Sequence, residues 1–178
     1  AAHHGVTPAH VAITAGSEMA IRYLFEAFLD PGDPVVILDP SFAMFAVYAQ
    51  LCGARAVTIP FRPGCTVDVD DILQAITPGT KIVALANPNN PTGTFSARAE
   101  LTAFLDRLPP SVLAVIDQAY LEYVDHPDYP DAIEEYVKAV EGLTIRHGRE
   151  LIRGALVFDS LNYGGDNASP IPQSMRQV

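Results

Sequence analysis

The chain has 178 residues, 49% of them hydrophobic, and a formal net charge of −10 at neutral pH, enough for one buried core. The acidic balance excludes a nucleic-acid partner, which needs a basic surface to replace phosphate counterions, and no apolar run is long enough to span a bilayer or patterned as a signal peptide. Cys52 and Cys65 have neither CxxC spacing nor a neighbouring His, so no disulfide framework or metal site is expected and a reducing, cytoplasmic setting fits.

His3, His4 and His10 suit a helix end closed by Gly5 better than a metal site, because adjacent histidines point to different faces. Pro8 to Thr14 predicts a short strand. Ala15-Gly16-Ser17-Glu18 then makes a glycine turn into a helix over 19–29, where apolar residues recur at helical spacing. A helix opening this way offers free N–H groups and the positive end of its dipole, which suits a phosphate. Equally, Ser17 is a good N-cap and Glu18 a good first-turn acid.

Residues 35–38 predict a buried strand, ended by Asp39-Pro40-Ser41-Phe42, and 42–52 a helix. Phe42 reads as a core aromatic at the start of that helix, and Phe45 and Tyr48 as packing residues. A strand over 54–60, a loop over 61–70 and a short helix over 71–76 follow. The apolar run Lys81 to Ala86 predicts another strand, halted by the turn Asn87-Pro88-Asn89-Asn90-Pro91-Thr92-Gly93. Ser96 is expected to cap a helix running to about Leu108, ended by Pro109-Pro110. Ser111 to Ile116 is a further strand, and it delivers Asp117-Gln118-Ala119-Tyr120 to the same rim as the Asn90 loop. The alternation predicts an α/β fold, a three-layer α/β/α arrangement with a mainly parallel sheet. Ligands of such sheets sit at the carboxyl ends of the strands.

The two motifs together, Asn87-Pro-Asn-Asn-Pro-Thr-Gly93 and Asp117-Gln-Ala-Tyr120, resemble those of the fold-type I pyridoxal-phosphate enzymes, specifically the class I/II aminotransferases. The continuation Leu121-Glu-Tyr123 is most similar to the histidinol-phosphate aminotransferase branch, with the threonine-phosphate decarboxylases sharing much of it. The resemblance implies pyridoxal 5′-phosphate as cofactor. It also implies roles for named residues: Gly16, Ser17 and Glu18 at the phosphate, Phe42 stacked on the pyridine ring and Asp117 on the protonated ring nitrogen. Asn90 and Tyr120 fall at the ring's phenolic oxygen. The glycine turn departs from the usual Gly-Ser-x-Glu type, so the backbone N–H of Glu18, not its carboxylate, is the expected contact. Gln118 replaces the commoner Glu of Asp-Glu-Ala-Tyr and reads as tolerable.

Residues 131–140 predict a helix, after which the family runs a strand and then a turn whose lysine forms a Schiff base with the cofactor. The corresponding place, Gly142 to Glu150, has Arg146 and Arg149 and no lysine. The chain's lysines are Lys81 and Lys138, neither at that turn, and arginine stays protonated and cannot form the imine. Residues 155–158 form a possible strand and 162–172 are turn-rich.

These readings give an incomplete pyridoxal-phosphate-binding large domain over 1–141 and a divergent tail over 142–178, a fragment without the Schiff-base lysine and hence with no catalytic residue of its own. The implied reaction transfers an amino group between an amino acid, or a histidinol-phosphate-like amine, and a 2-oxo acid. Those small molecules are the expected partners, with a homodimer expected for the full-length parent. This chain alone is expected to be inactive. The alternatives are a threonine-phosphate-decarboxylase-like enzyme of the same fold, which carbon dioxide release would distinguish, and a non-catalytic remnant or interaction protein.

Overall fold

A computed structural model of the chain describes residues 7, 8 and 11–133 and the backbone of the strand at 155–158. The elements in order are α1 (Gly16–Phe28), β1 (Pro34–Asp39), α2 (Met44–Leu51), β2 (Arg55–Pro60), α3 (Val69–Gln74), β3 (Ile82–Ala86), α4 (Arg98–Arg107), β4 (Leu113–Asp117) and β5 (Ala155–Phe158). A single 3₁₀ turn, Leu121–Tyr123, follows β4. The expected histidine-bearing helix end at 1–9 and the helix over 131–140 lie, apart from residues 7, 8 and 131–133, outside the described residues.

The strands pair in parallel in the order β2-β1-β3-β4-β5. Parallel strands are buried on both faces, which explains the unbroken apolar runs of β1, β3 and β4. Side chains alternate between faces along each strand. Val35, Ile37, Ile82, Ala84, Leu113 and Val115 pack with Ile21 and Phe25 of α1 and Phe45 of α2. Val36, Val83, Leu85, Ala114 and Ile116 pack on the other side with Ile72 of α3 and Leu101 and Phe104 of α4. The result is the three-layer α/β/α arrangement that the alternation of elements predicts.

Three local expectations are corrected. Residues 11–14 form no strand. The helix starts at Gly16 rather than 19, with Ala15 at the cap position and no side-chain cap, so Ser17 lies inside the first turn. Gly16 enters the helix at φ +79°, a left-handed backbone that favours glycine, and its N–H donates back to the Thr14 carbonyl at 2.9 Å. Nor does Ser96 cap α4. Its N–H is taken by Asn87 Oδ1 at 2.7 Å, and Ala97 takes the cap position while its own N–H donates to Glu100 Oε2 at 2.8 Å. Tertiary bonding to the Asn87 turn outcompetes the local capping preference.

From β1 the chain moves outward to β2, and from β3 it moves the opposite way to β4. The carboxyl ends of β1 and β3 therefore flank the switch point of the sheet, where a crevice opens. Both signature turns leave the sheet along this rim.

Candidate functional site

Asp117 is the last residue of β4 and follows the parity of Leu113 and Val115. It therefore emerges on the side of α1 and α2, in register with Ala86 at the end of β3. Together with Ser17, Phe42, Pro88, Asn90, Ala119 and Tyr120 these two residues line one cleft. Five of the seven residues singled out from the sequence thus meet. Gly16 and Glu18 flank the cleft at the start of α1 without lining it, and the Glu18 carboxylate is turned to Tyr48, whose hydroxyl donates to Oε1 at 2.8 Å.

The three asparagines of the Asn87–Gly93 turn have separate duties. Asn87 closes the turn on itself, with Oδ1 accepting from Ser96 N and Nδ2 donating to Ser96 O at 3.3 Å. Asn89 spans the switch-point crevice. Its Oδ1 accepts from Ser41 Oγ at 2.6 Å, and its Nδ2 donates to Pro40 O at 3.0 Å and Thr92 Oγ1 at 2.9 Å. Both residues are buried, at 3% and 4% exposure, and their amides are satisfied as burial demands. Asn90 is different: it is half-buried, lines the cleft, and its side chain bonds to no other described residue.

Asp117 is 6% exposed. Its Oδ1 accepts from Ala119 N at 3.0 Å, and Oδ2 has no partner among the described residues. Burial pushes its carboxyl from an ordinary 3.8 up to about 6, against the smaller lowering effect of that one hydrogen bond. Burying a carboxylate with one open oxygen is costly in its charged form, a cost that a cationic N–H donor would offset.

Phe42 presents its ring to the cleft and meets Phe45 edge-on at 5.8 Å between centroids. Phe45 in turn stacks on Phe25 of α1 at 6.5 Å. The hydroxyls of Ser17 and Tyr120 carry no hydrogen bond to another described residue, and Tyr120 is 47% exposed with Tyr123 packed edge-on against it. The cleft therefore combines an apolar ring, one buried acid and several free polar groups. Those are the components of a site for a flat, polar, cation-bearing ring.

A larger cleft, ≈ 220 Å³ against ≈ 70 Å³, opens on the α3 and α4 side between Phe61, Val67 and Phe95. Its buried amide, Asn89, and the acid Glu100 are already bonded within the fold. The smaller cleft holds the buried acid with an open oxygen and the open Asn90 amide, and is the better candidate.

Two positioning residues escaped the sequence reading. Gln118 is fully buried, its Nε2 donating to Tyr129 Oη and Pro130 O, both at 2.8 Å, and its Oε1 accepting from Ala132 N at 3.0 Å. The Tyr129 hydroxyl then donates to the Asn87 carbonyl. This relay ties the end of β4 to the Asn87 turn, and Gln118 supplies donors that an ionised Glu would lack. Gln118→Leu is expected to cost about 2–4 kcal/mol of stability by orphaning buried partners, read as a lower urea midpoint. The alternation of strand and polar turn gives no hint of it, because its partners lie 11–14 residues further on.

Lys81 immediately precedes β3 at the amino end of the sheet, and five strand residues, roughly 15–20 Å, separate it from the cleft. Lys138 lies outside the described residues. The strand beyond β4 is found at Ala155–Phe158, further along than the 142–150 stretch, with Phe158 in register with Asp117. The sequence after it, Asp159-Ser160-Leu161-Asn162, also lacks lysine.

The family model described as aminotransferase class I and II matches residues 1–146. An aromatic amino acid aminotransferase of Streptomyces coelicolor is 43% identical over 132 residues, 74% of this chain and 37% of the relative. A histidinol-phosphate aminotransferase of Moorella thermoacetica is 41% identical over 139 residues, 78% of this chain and 36% of the relative. Among solved structures, the histidinol-phosphate aminotransferase of Sinorhizobium meliloti in complex with pyridoxal-5′-phosphate matches with a TM-score of 0.67 at 31% identity, covering 72% of this chain and 35% of that one. The aspartate aminotransferase of Thermus thermophilus with maleate matches with a TM-score of 0.67 at 29% identity, covering 72% and 35%. The chain spans somewhat over a third of the length of the curated relatives it matches.

Proposed function

The chain belongs to the aminotransferase class I and II family, and from that premise we propose that it forms the pyridoxal-phosphate-binding part of an aminotransferase large domain. Residues 1–141 carry the site and 142–178 diverge from the family pattern. The observation that carries the reading is the open Oδ2 of buried Asp117 in a cleft shared with Phe42 and Asn90.

The residues present fit the cofactor. Asp117 would accept the N–H of a protonated ring nitrogen, a cationic partner for its buried carboxylate. Phe42 offers its ring face, and Asn90 Nδ2 and the Tyr120 hydroxyl are free to donate to the phenolic oxygen. The Ser17 hydroxyl and the N–H groups that follow Gly16 in the first turn of α1 would face the phosphate, with the positive end of the helix dipole behind them, while the Gly16 N–H is held by the Thr14 carbonyl. When bound, the cofactor supplies an electron sink for negative charge developing on the substrate carbon. The part of these residues is to bind and orient the ring and to hold its nitrogen protonated. For the whole protein the reaction is amino transfer between an amino acid and a 2-oxo acid, in a homodimer.

Covalent attachment and proton shuttling need an amine that can lose its proton. Lys81 is at the wrong end of the sheet, so the 178 residues bind the cofactor reversibly and do not transaminate. Titrating the chain with pyridoxal phosphate is expected to give saturable absorbance changes that dialysis removes, with no label retained after borohydride reduction. Label trapped on Lys81 or Lys138 overturns the reversible binding, and turnover of glutamate with a 2-oxo acid overturns the inactivity. Absence of binding overturns the cofactor reading itself.

A further inference from the structure

The cleft has two walls on its helical side: Ser17 in the first turn of α1, and Phe42 just ahead of α2. The first turn of α1 is weakly anchored. No side chain caps it, and residues 11–14 before it have no regular structure. Thr14 contributes only short-range bonds to Gly16, one from its hydroxyl to the Gly16 carbonyl at 2.8 Å. Among the described residues, one side-chain hydrogen bond joins this turn to another helix or strand. It runs from the Tyr48 hydroxyl of α2 to Glu18 Oε1 at 2.8 Å.

The two ends of that bond differ in freedom. Tyr48 is 7% exposed and packed in the core under α1 and α2, so its hydroxyl stands at a fixed point. Glu18 is exposed and adjoins Ser17 in sequence, so holding its carboxylate holds the pitch of the turn that carries Ser17. A bond between a charged acceptor and a rigid donor is among the stronger side-chain bonds.

We propose that Tyr48, through Glu18, is a positioning residue that sets the spacing between the phosphate-facing turn of α1 and the ring-facing Phe42. This rests on the cofactor reading above, and it assigns the Glu18 carboxylate to bracing the turn, leaving contact with the phosphate to Ser17 and the backbone. Loss of the brace should weaken capture of the phosphate end and leave capture of the ring nearly alone.

The test compares pyridoxal 5′-phosphate with pyridoxal, which lacks the phosphate, on the full chain. Tyr48→Phe keeps the buried ring and removes the bond. It is expected to weaken pyridoxal phosphate about 5–10-fold, the loss of one good hydrogen bond, and to change pyridoxal less than about 2-fold. Glu18→Ala, at an exposed position that leaves the core intact, is expected to give the same split, and the double variant to lose no more than either single one. Faster amide exchange at Ser17 to Met19 in both variants, without a change in β1 or β3, gives a readout that does not depend on ligand. Equal losses for the two ligands, additive losses in the double variant, or unchanged exchange overturn the positioning role and leave the cofactor reading standing. A parent chain that binds neither ligand overturns that reading and this inference with it.

Discussion

Asp117→Asn is expected to make the free chain more stable and to weaken its affinity for pyridoxal phosphate. The sign follows from the direction of the shift. Burial raises the Asp117 carboxyl from 3.8 to about 6, so the fold prefers the protonated form and its ionisation is a cost. That cost is absent below about pH 4, grows as the pH rises through the window to about 6, and is full above it. A rise from 3.8 to about 6 corresponds to roughly 3 kcal/mol as an upper figure. Asparagine keeps an acceptor for Ala119 N and carries no charge. The variant should therefore gain about 1–3 kcal/mol at pH 8 and nothing near pH 4. At the same time, losing the charge opposite a ring nitrogen should weaken the cofactor about 100-fold or more. Urea unfolding at the two pH values and one absorbance titration check both halves. A variant destabilised at pH 8, or binding normally, contradicts the assignment.

The second large effect separates two adjacent residues. Asn89→Ala removes three side-chain bonds, two of which cross from the β3 turn to the loop after β1. It leaves the Pro40 carbonyl and the Ser41 hydroxyl without partners in a part-buried crevice, at a cost of about 2–4 kcal/mol. Asn90→Ala removes a side chain that bonds to no other described residue, so stability should move by less than about 0.5 kcal/mol. Its effect should appear in cofactor affinity, about 10-fold through one hydrogen bond. Paired denaturation and titration curves distinguish the scaffold asparagine from the ligand asparagine. Equal behaviour of the two variants would remove that distinction.

That contrast marks the limit of what the sequence makes legible. The buried strands, the layer order and the meeting of Phe42, Asn90 and Asp117 follow from apolar runs and from motif positions at strand ends. Which asparagine is free does not, because two of the three partners of Asn89 lie 48 and 49 residues earlier in the chain. Ser17 and Ser96 mislead for a related reason. Each carries the local signature of a helix cap, yet Gly16 turns the chain into α1 one residue earlier and Asn87 claims the Ser96 backbone. Gln118 reads as a tolerated substitution until Tyr129, Pro130 and Ala132 converge on its amide. Strand β5 is a short apolar run whose membership of the sheet depends on pairing with β4, which local pattern cannot settle.

Phe42 stands at one end of an aromatic column that runs through Phe45 to Phe25 in the core between the sheet and its first two helices. A flat ring laid on Phe42 would extend that run of aromatic contacts by one member, so a ligand's binding energy would add to that of the core. Heat resistance then becomes a titratable property. At about 100 times the dissociation constant, binding adds roughly 2.7 kcal/mol to the folded state, a gain that would raise the melting midpoint of a domain this size by several degrees.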